Sequence, residues 1–115
     1  AYNSATMTPA AFSGRGYAVE TGYAAITKPD ISAPGENVYV DSTNVVTGTS
    51  FAVPFVTGSA ALLMEWGIVN GNDAYMYGYK LKAALKKGAV QLPGQPIQSS
   101  VTGWGRLCLR NSIPR

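Results

Sequence analysis

From Phe51 through Met64 the chain carries no charged residue, and the longer stretch TGTSFAVPFVTGSAALLMEW (47–66) has Glu65 as its sole charge. A helix over 51–66 would have no polar face, so whatever fold contains it must enclose it on most sides. The run is shorter than the roughly 20 apolar residues that a membrane span requires, and Pro54, Thr57, Gly58 and Ser59 interrupt it. It therefore reads as a buried core helix and not as a membrane span. Its small residues Ala52, Gly58, Ser59, Ala60 and Ala61 let neighbouring backbone come close. Gly67 and the Asn-Gly-Asn at 70–72 are read as its stop, since both residue types tolerate the left-handed conformation that ends helices.

The remainder of the chain offers little to cover such a helix. With 115 residues, 46% of them hydrophobic, it can form one domain with a core, yet only 13% are charged against the roughly 25% usual for a soluble domain. Much of its surface is therefore expected to be covered, and the chain reads as a buried piece of something larger. Nine Lys and Arg against six Asp and Glu leave a net charge of +3, which ordinary surface lysines explain without a nucleic-acid footprint. The single Cys108 cannot form an internal disulfide, and with no histidine there is no Cys/His cluster for zinc. No charged segment followed by an apolar one opens the chain as a targeting signal would.

Residues 1–22 are rich in Ser, Thr, Ala and Gly, with a turn signal SGRG at 13–16, and read as loop around one short strand. KPDISAPGENVYVD (28–41) suggests two β runs, 30–33 and 37–41, about a Pro34-Gly35 turn. A second, amphipathic helix is expected over 73–87, with Asn72 as N-cap, lysines in the last turn and Gly88 as C-terminal cap. Lys80, Lys82, Lys86 and Lys87 fit its solvated face better than a phosphate site. QLPGQP is a loop, and a strand is read over 106–110 near the C-terminal end. Cys108 alternates with leucines there as a small buried hydrophobe, and Trp66 and Trp104 are core or interface aromatics.

Ser50 stands where the Gly-Thr turn meets the apolar helix. Capping is the plain reading, because serine is among the best N-cap residues. The same place also suits a nucleophile: the first turn of a helix holds unpaired N–H groups and the positive end of the helix dipole, which stabilise an oxyanion. Gly48 allows the sharp turn into the helix, Ala52 leaves space beside it, and Pro54 is read as falling in or near the first turn, at the loss of about one backbone hydrogen bond. Gly48-Thr49-Ser50-Phe51-Ala52 superficially resembles the nucleophile elbow of α/β-hydrolases. Those enzymes place the acid and histidine after the serine, whereas here no histidine follows and Asp73 is the one aspartate beyond Ser50. A Ser-Lys dyad is disfavoured, since no S-x-x-K occurs and the lysines lie mainly on a helix face expected to be wet.

KPDISAPGENV, TGTSFAVPFVTGSAALL and GWGRL together resemble consecutive blocks from the C-terminal part of subtilisin-like serine proteases, the subtilase or S8 family. The family pattern Gly-Thr-Ser-x-Ala-x-Pro, then Val-x-Gly, is matched at Gly48, Thr49, Ser50, Ala52, Pro54, Val56 and Gly58, and SATMTPAAFSGRG at 4–16 extends the likeness over nearly the whole chain. Two positions depart from it: Phe51 stands where methionine is common and Phe55 where a histidine outside the triad is common, so substrate preference is affected more than chemistry.

The resemblance implies an α/β fold, the C-terminal part of a three-layer domain with a mostly parallel sheet, with 1–115 as a segment of one catalytic domain. It implies peptide-bond hydrolysis through an acyl-enzyme, with Ser50 as nucleophile and its N–H as one oxyanion donor, supported by Thr49 and Gly48. In this family the aspartate and histidine precede the serine, so the base, the acid and the oxyanion asparagine are expected upstream, and the chain alone is expected to be inert. Its implied partners are that upstream part and a peptide or protein substrate, without nucleic acid or membrane span. No cofactor is implied, although a structural calcium ion elsewhere in the full domain is compatible with the family. Asp30, beside Ala33-Pro34-Gly35, is read as a hydrogen-bonded structural aspartate in preference to a cation ligand. Family habit favours the extracellular space or the cell envelope. A pseudoprotease that keeps the fold as an interaction or regulatory module is the alternative.

Overall fold

A computed structural model describes residues 1–16, 18–21 and 24–114. Among the described residues seven short strands precede the helices: β1 (Tyr2–Asn3), β2 (Thr8–Pro9), β3 (Ala18–Thr21), β4 (Ala24–Thr27), β5 (Pro34–Glu36), β6 (Val38–Tyr39) and β7 (Val45–Val46). Strand β1 is central in a mixed sheet, antiparallel to β2 and parallel to β5. The pairs β3–β4 and β6–β7 are antiparallel hairpins. The architecture is α/β, with parallel pairing between β1 and β5 and again at an isolated bridge between Ser32 and Arg106.

Helix α1 runs over Thr49–Met64 and continues without a break as a π-helical turn, Glu65–Val69. The Asn70 amide donates to the Glu65 carbonyl at 2.9 Å, and the chain leaves the helix at 70–72. Gly67 is thus not a stop. It is buried inside the π turn, where a Cβ would lie 2.6 Å from Met76 Cβ, so its lack of a side chain is needed for close approach. Helix α2 covers Gly78–Gly88 and a four-residue helix α3 covers Leu109–Ser112.

Several expectations from the sequence are corrected. Pro34-Gly35 lies inside β5 and not in a turn, because both Ala33 and the strand register against β1 continue through it. The second helix starts at Gly78 and not at Asp73, because Asn72 and Asp73 are used otherwise. Asn72 Nδ2 donates to the Trp66 carbonyl at 2.8 Å, and Asp73 Oδ1 accepts the Tyr75 amide at 3.0 Å, holding residues 72–77 as a turn. Gly88 is the last helical residue, followed by Ala89 in extended conformation. No strand spans 106–110: Arg106 makes strand-like bonds with Val90 and the Leu107 amide donates to Ser32, after which the chain turns into α3.

The core lies between α1, α2 and α3. Leu63, Met76 and Leu85 are buried together, with Ile31, Val56, Trp66, Leu81, Leu107 and Ile113 packed against them. Ala52, Val56, Leu63 and Gly67 fall at helical spacing, so one narrow stripe of α1 faces inward. The other sides are open: Val53 is 59% exposed, Leu62 53% and Phe55 42%. Enclosure of the apolar helix on most sides is therefore not met by the described residues. The continuous helix Thr49–Val69 has 21 residues and is long and apolar enough to cross a membrane, so its length is no argument against a span.

Candidate active site

The segment that enters α1 is fixed from one side by β5. The Gly48 amide donates to the Gly35 carbonyl at 2.7 Å, and the backbone amide of Asn37, two residues after Gly35, donates to Oγ1 of Thr47, the residue before Gly48, at 2.9 Å. Gly48 has φ 153° and ψ 155°, a region open to glycine almost alone, and it is the N-cap of α1. Gly35 is equally constrained, since a Cβ there would come 2.9 Å from the Gly48 carbonyl oxygen and 3.2 Å from Ala52 Cβ. Glycines at both positions let strand and helix start touch through backbone.

Thr49 and Ser50 are therefore the first and second residues of the helix, and both are exposed. This removes the capping reading of Ser50: the cap is Gly48, which supplies no side-chain hydrogen bond. Among the described residues the Ser50 hydroxyl has no hydrogen-bond partner in the chain. The Phe51 amide is taken by the Gly48 carbonyl at 3.1 Å, and among the described residues the Thr49 and Ser50 amides at the helix start have no backbone acceptor. No acidic residue occupies the first turn, so the positive end of the helix dipole is not neutralised there. An oxygen acquiring negative charge beside Ser50 Oγ would meet these donors. The Phe51 ring lies against Gly48, its Cδ2 3.4 Å from the place of a Cβ on that glycine, and stays 38% exposed.

Pro54 is the sixth residue of α1, near its first turn but in the second. It has no N–H to give to the carbonyl four residues earlier, and that carbonyl belongs to Ser50. The sequence alone singled out Ser50, Thr49 and Gly48, and the structure places the three in one turn. It adds two residues that the sequence reading missed, Gly35 and Thr47. Gly35 was masked by its Pro-Gly turn signal, and an exposed threonine before a glycine carries no signal in sequence.

Asp30 lies elsewhere, between the strand segment and α2. Its carboxylate meets Lys28 Nζ at 2.7 Å and Lys82 and Lys86 Nζ at 3.2 Å each. Partial burial pushes its carboxyl up, but hydrogen bonds from Lys28, Lys82 and Lys86 overcome this and hold it at about 2. A carboxylate ringed by ammonium groups repels a metal ion, which matches the structural reading of Asp30 and gives two of the α2 lysines a pairing role. Lys80 is paired too, with Asp73 at 2.5 Å.

A strand leads through a glycine turn to an exposed serine at a helix start, within an α/β architecture. The chain belongs to the Subtilase family (Peptidase_S8), whose sequence profile matches residues 1–105. It is similar to the PII-type proteinase of Lactococcus lactis subsp. cremoris, with 42% identity over 59 residues, 48% of this chain and 3% of that protein. It is also similar to the extracellular serine proteinase of Thermus sp. (strain Rt41A), 46% identical over 43 residues, 32% of this chain and 10% of that protein. In three dimensions it resembles the Clostridium perfringens CspB protease with a TM-score of 0.82 and 40% identity over 98% of this chain. The chain spans only 24% of that solved protease, so it corresponds to a limited part of its relatives.

Proposed function

We propose that this chain supplies the nucleophile of a serine endopeptidase. Ser50 attacks the carbonyl carbon of a peptide bond, the amine leaves, and water then hydrolyses the acyl-enzyme. The observation that carries this reading is the exposed Ser50 in the first turn of α1, not engaged as a cap and placed among the unpaired amides of the helix start. The Ser50 N–H serves as one oxyanion donor, Thr49 supports it through its hydroxyl, and Gly48 makes the turn possible.

The base, the acid and the second oxyanion donor come from an upstream part of the same protein, by which reading residues 1–115 alone are inactive. The exposed apolar flank of α1, with Val53, Phe55 and Leu62, supports packing of that upstream part on this helix. The same packing explains an apolar 21-residue helix without a membrane span, and the match of the whole chain to a solved protease favours it.

The test is labelling of the full-length protein with a fluorophosphonate. An adduct mapped to Ser50 and absent from Ser50→Ala is expected; no adduct at Ser50 would sink the protease reading and leave a pseudoprotease.

A further inference from the structure

Gly48 creates a difficulty that the nucleophile shares. Its φ and ψ of 153° and 155° are open to glycine because nothing restricts them sterically, so the residue cannot hold the orientation of the turn by itself. The turn directly carries Thr49 and Ser50, and a small rotation about Gly48 would swing the first helical turn. Something outside Gly48 must fix it. One bond is backbone to backbone, Gly48 N–H to the Gly35 carbonyl. The other depends on a side chain: Thr47 Oγ1 accepts the Asn37 amide at 2.9 Å.

Asn37 is itself unusual, with φ 54° in the left-handed region, which asparagine tolerates better than other non-glycine residues. That conformation turns its amide to the Thr47 hydroxyl, between the end of β5 and the β6–β7 hairpin. The two bonds form a clasp at the 47–48 peptide, one from its own N–H and one to the Thr47 side chain before it. Both Asn37 and Thr47 are exposed, so the side-chain bond contributes little to the core, and its location beside the serine turn is what distinguishes it.

We infer that Thr47 is a positioning residue for Ser50: its hydroxyl, by accepting the Asn37 amide, fixes the turn from which the nucleophile is presented. This inference rests on the protease reading of Ser50. The full-length protein and its Thr47→Val, Thr47→Ala and Thr47→Ser variants would be titrated with a fluorophosphonate, separating the rate constant at saturation from the concentration giving half that rate. Thr47→Val is close to isosteric but lacks the acceptor, Thr47→Ala deletes the hydroxyl in a second way, and Thr47→Ser keeps it.

Loosened placement of a reacting atom should lower the saturating rate of the Val and Ala variants by about ten- to a hundredfold, with the half-saturating concentration and the thermal midpoint little changed. Thr47→Ser should stay within about threefold of the parent on the same basis. Val and Ala variants reacting at the parent rate, or a Ser variant as slow as they are, would overturn the role of Thr47 while leaving Ser50 as nucleophile. A parent protein without any adduct at Ser50 would overturn both.

Discussion

Pro54 stands four residues after Ser50 in helix α1, so the carbonyl of the candidate nucleophile has no helical amide to receive. The helix gives up a bond at the residue it presents. Ser50 is nonetheless helical, so its first turn is tied to the second by one regular bond fewer.

Pro54→Ala restores that N–H. The expected result in the full-length protein is a gain in stability of about 1 kcal/mol from one recovered hydrogen bond, reduced by the greater freedom of the unfolded chain. Labelling of Ser50 should slow at the same time, because the added bond ties the turn that carries the serine to the turn after it. Thermal denaturation and fluorophosphonate kinetics on one preparation check both; a more stable variant that labels at the parent rate would show that the proline has no influence on the serine.

Asp30 supplies a dependence on pH. Its folded value of about 2 lies below the ordinary carboxylate value of 3.8, so its contribution is complete above about pH 4 and is lost as pH falls through 2. Asp30→Asn removes that contribution at neutral pH, on the order of 1 kcal/mol after allowance for the solvent around the lysines. Because Asp41 is also held at about 2 and Asp73 is lowered, the informative quantity is parent minus variant. Chemical denaturation at pH 7 and at pH 3 should give a difference that shrinks on acidification; a constant difference would mean that the lysine contacts carry no net energy.

Where the sequence was legible, local chemistry and function coincided. The Gly48-Thr49-Ser50 turn, the apolar helix after it and the lysine-rich amphipathic helix could all be read from residue types alone. Pro34-Gly35 could not, because a turn signal describes local preference and the pairing of Pro34 with Tyr2 is set by a distant part of the chain. The start of α2 was misplaced for a related reason: Asn72 and Asp73 look like helix-capping residues, but their side chains close a turn against Trp66 and Tyr75. Gly67 looked like a helix stop, and only tertiary contact with Met76 shows why a glycine is there.

Gly67→Ala measures that last contact. The added methyl would sit 2.6 Å from Met76 Cβ and 2.8 Å from the Asp73 carbonyl oxygen, and the latter is backbone and cannot rotate away. Intrinsic helix propensity favours alanine over glycine by up to about 1 kcal/mol, whereas overpacking costs about 1–3 kcal/mol, so the net change should be destabilising. A lowered denaturation midpoint is expected, and a raised one would place residue 67 outside the helix contact.

Gly58 provides the opposite case and tests what covers α1. It is exposed on the outer side of the helix, and a Cβ there would meet nothing within 4 Å among the described residues. If that side faced water, Gly58→Ala would stabilise the protein by about 0.5–1 kcal/mol through helix propensity. If the upstream part packs on it as proposed, the methyl intrudes on an occupied surface and the full-length protein loses about 1–3 kcal/mol. Loss is the expected outcome, because the run Val53, Phe55 and Leu62 exposes more apolar side chain than a solvated helix carries. Equilibrium unfolding of the full-length parent and variant decides the sign, and a gain in stability would show this side of α1 to be open to solvent.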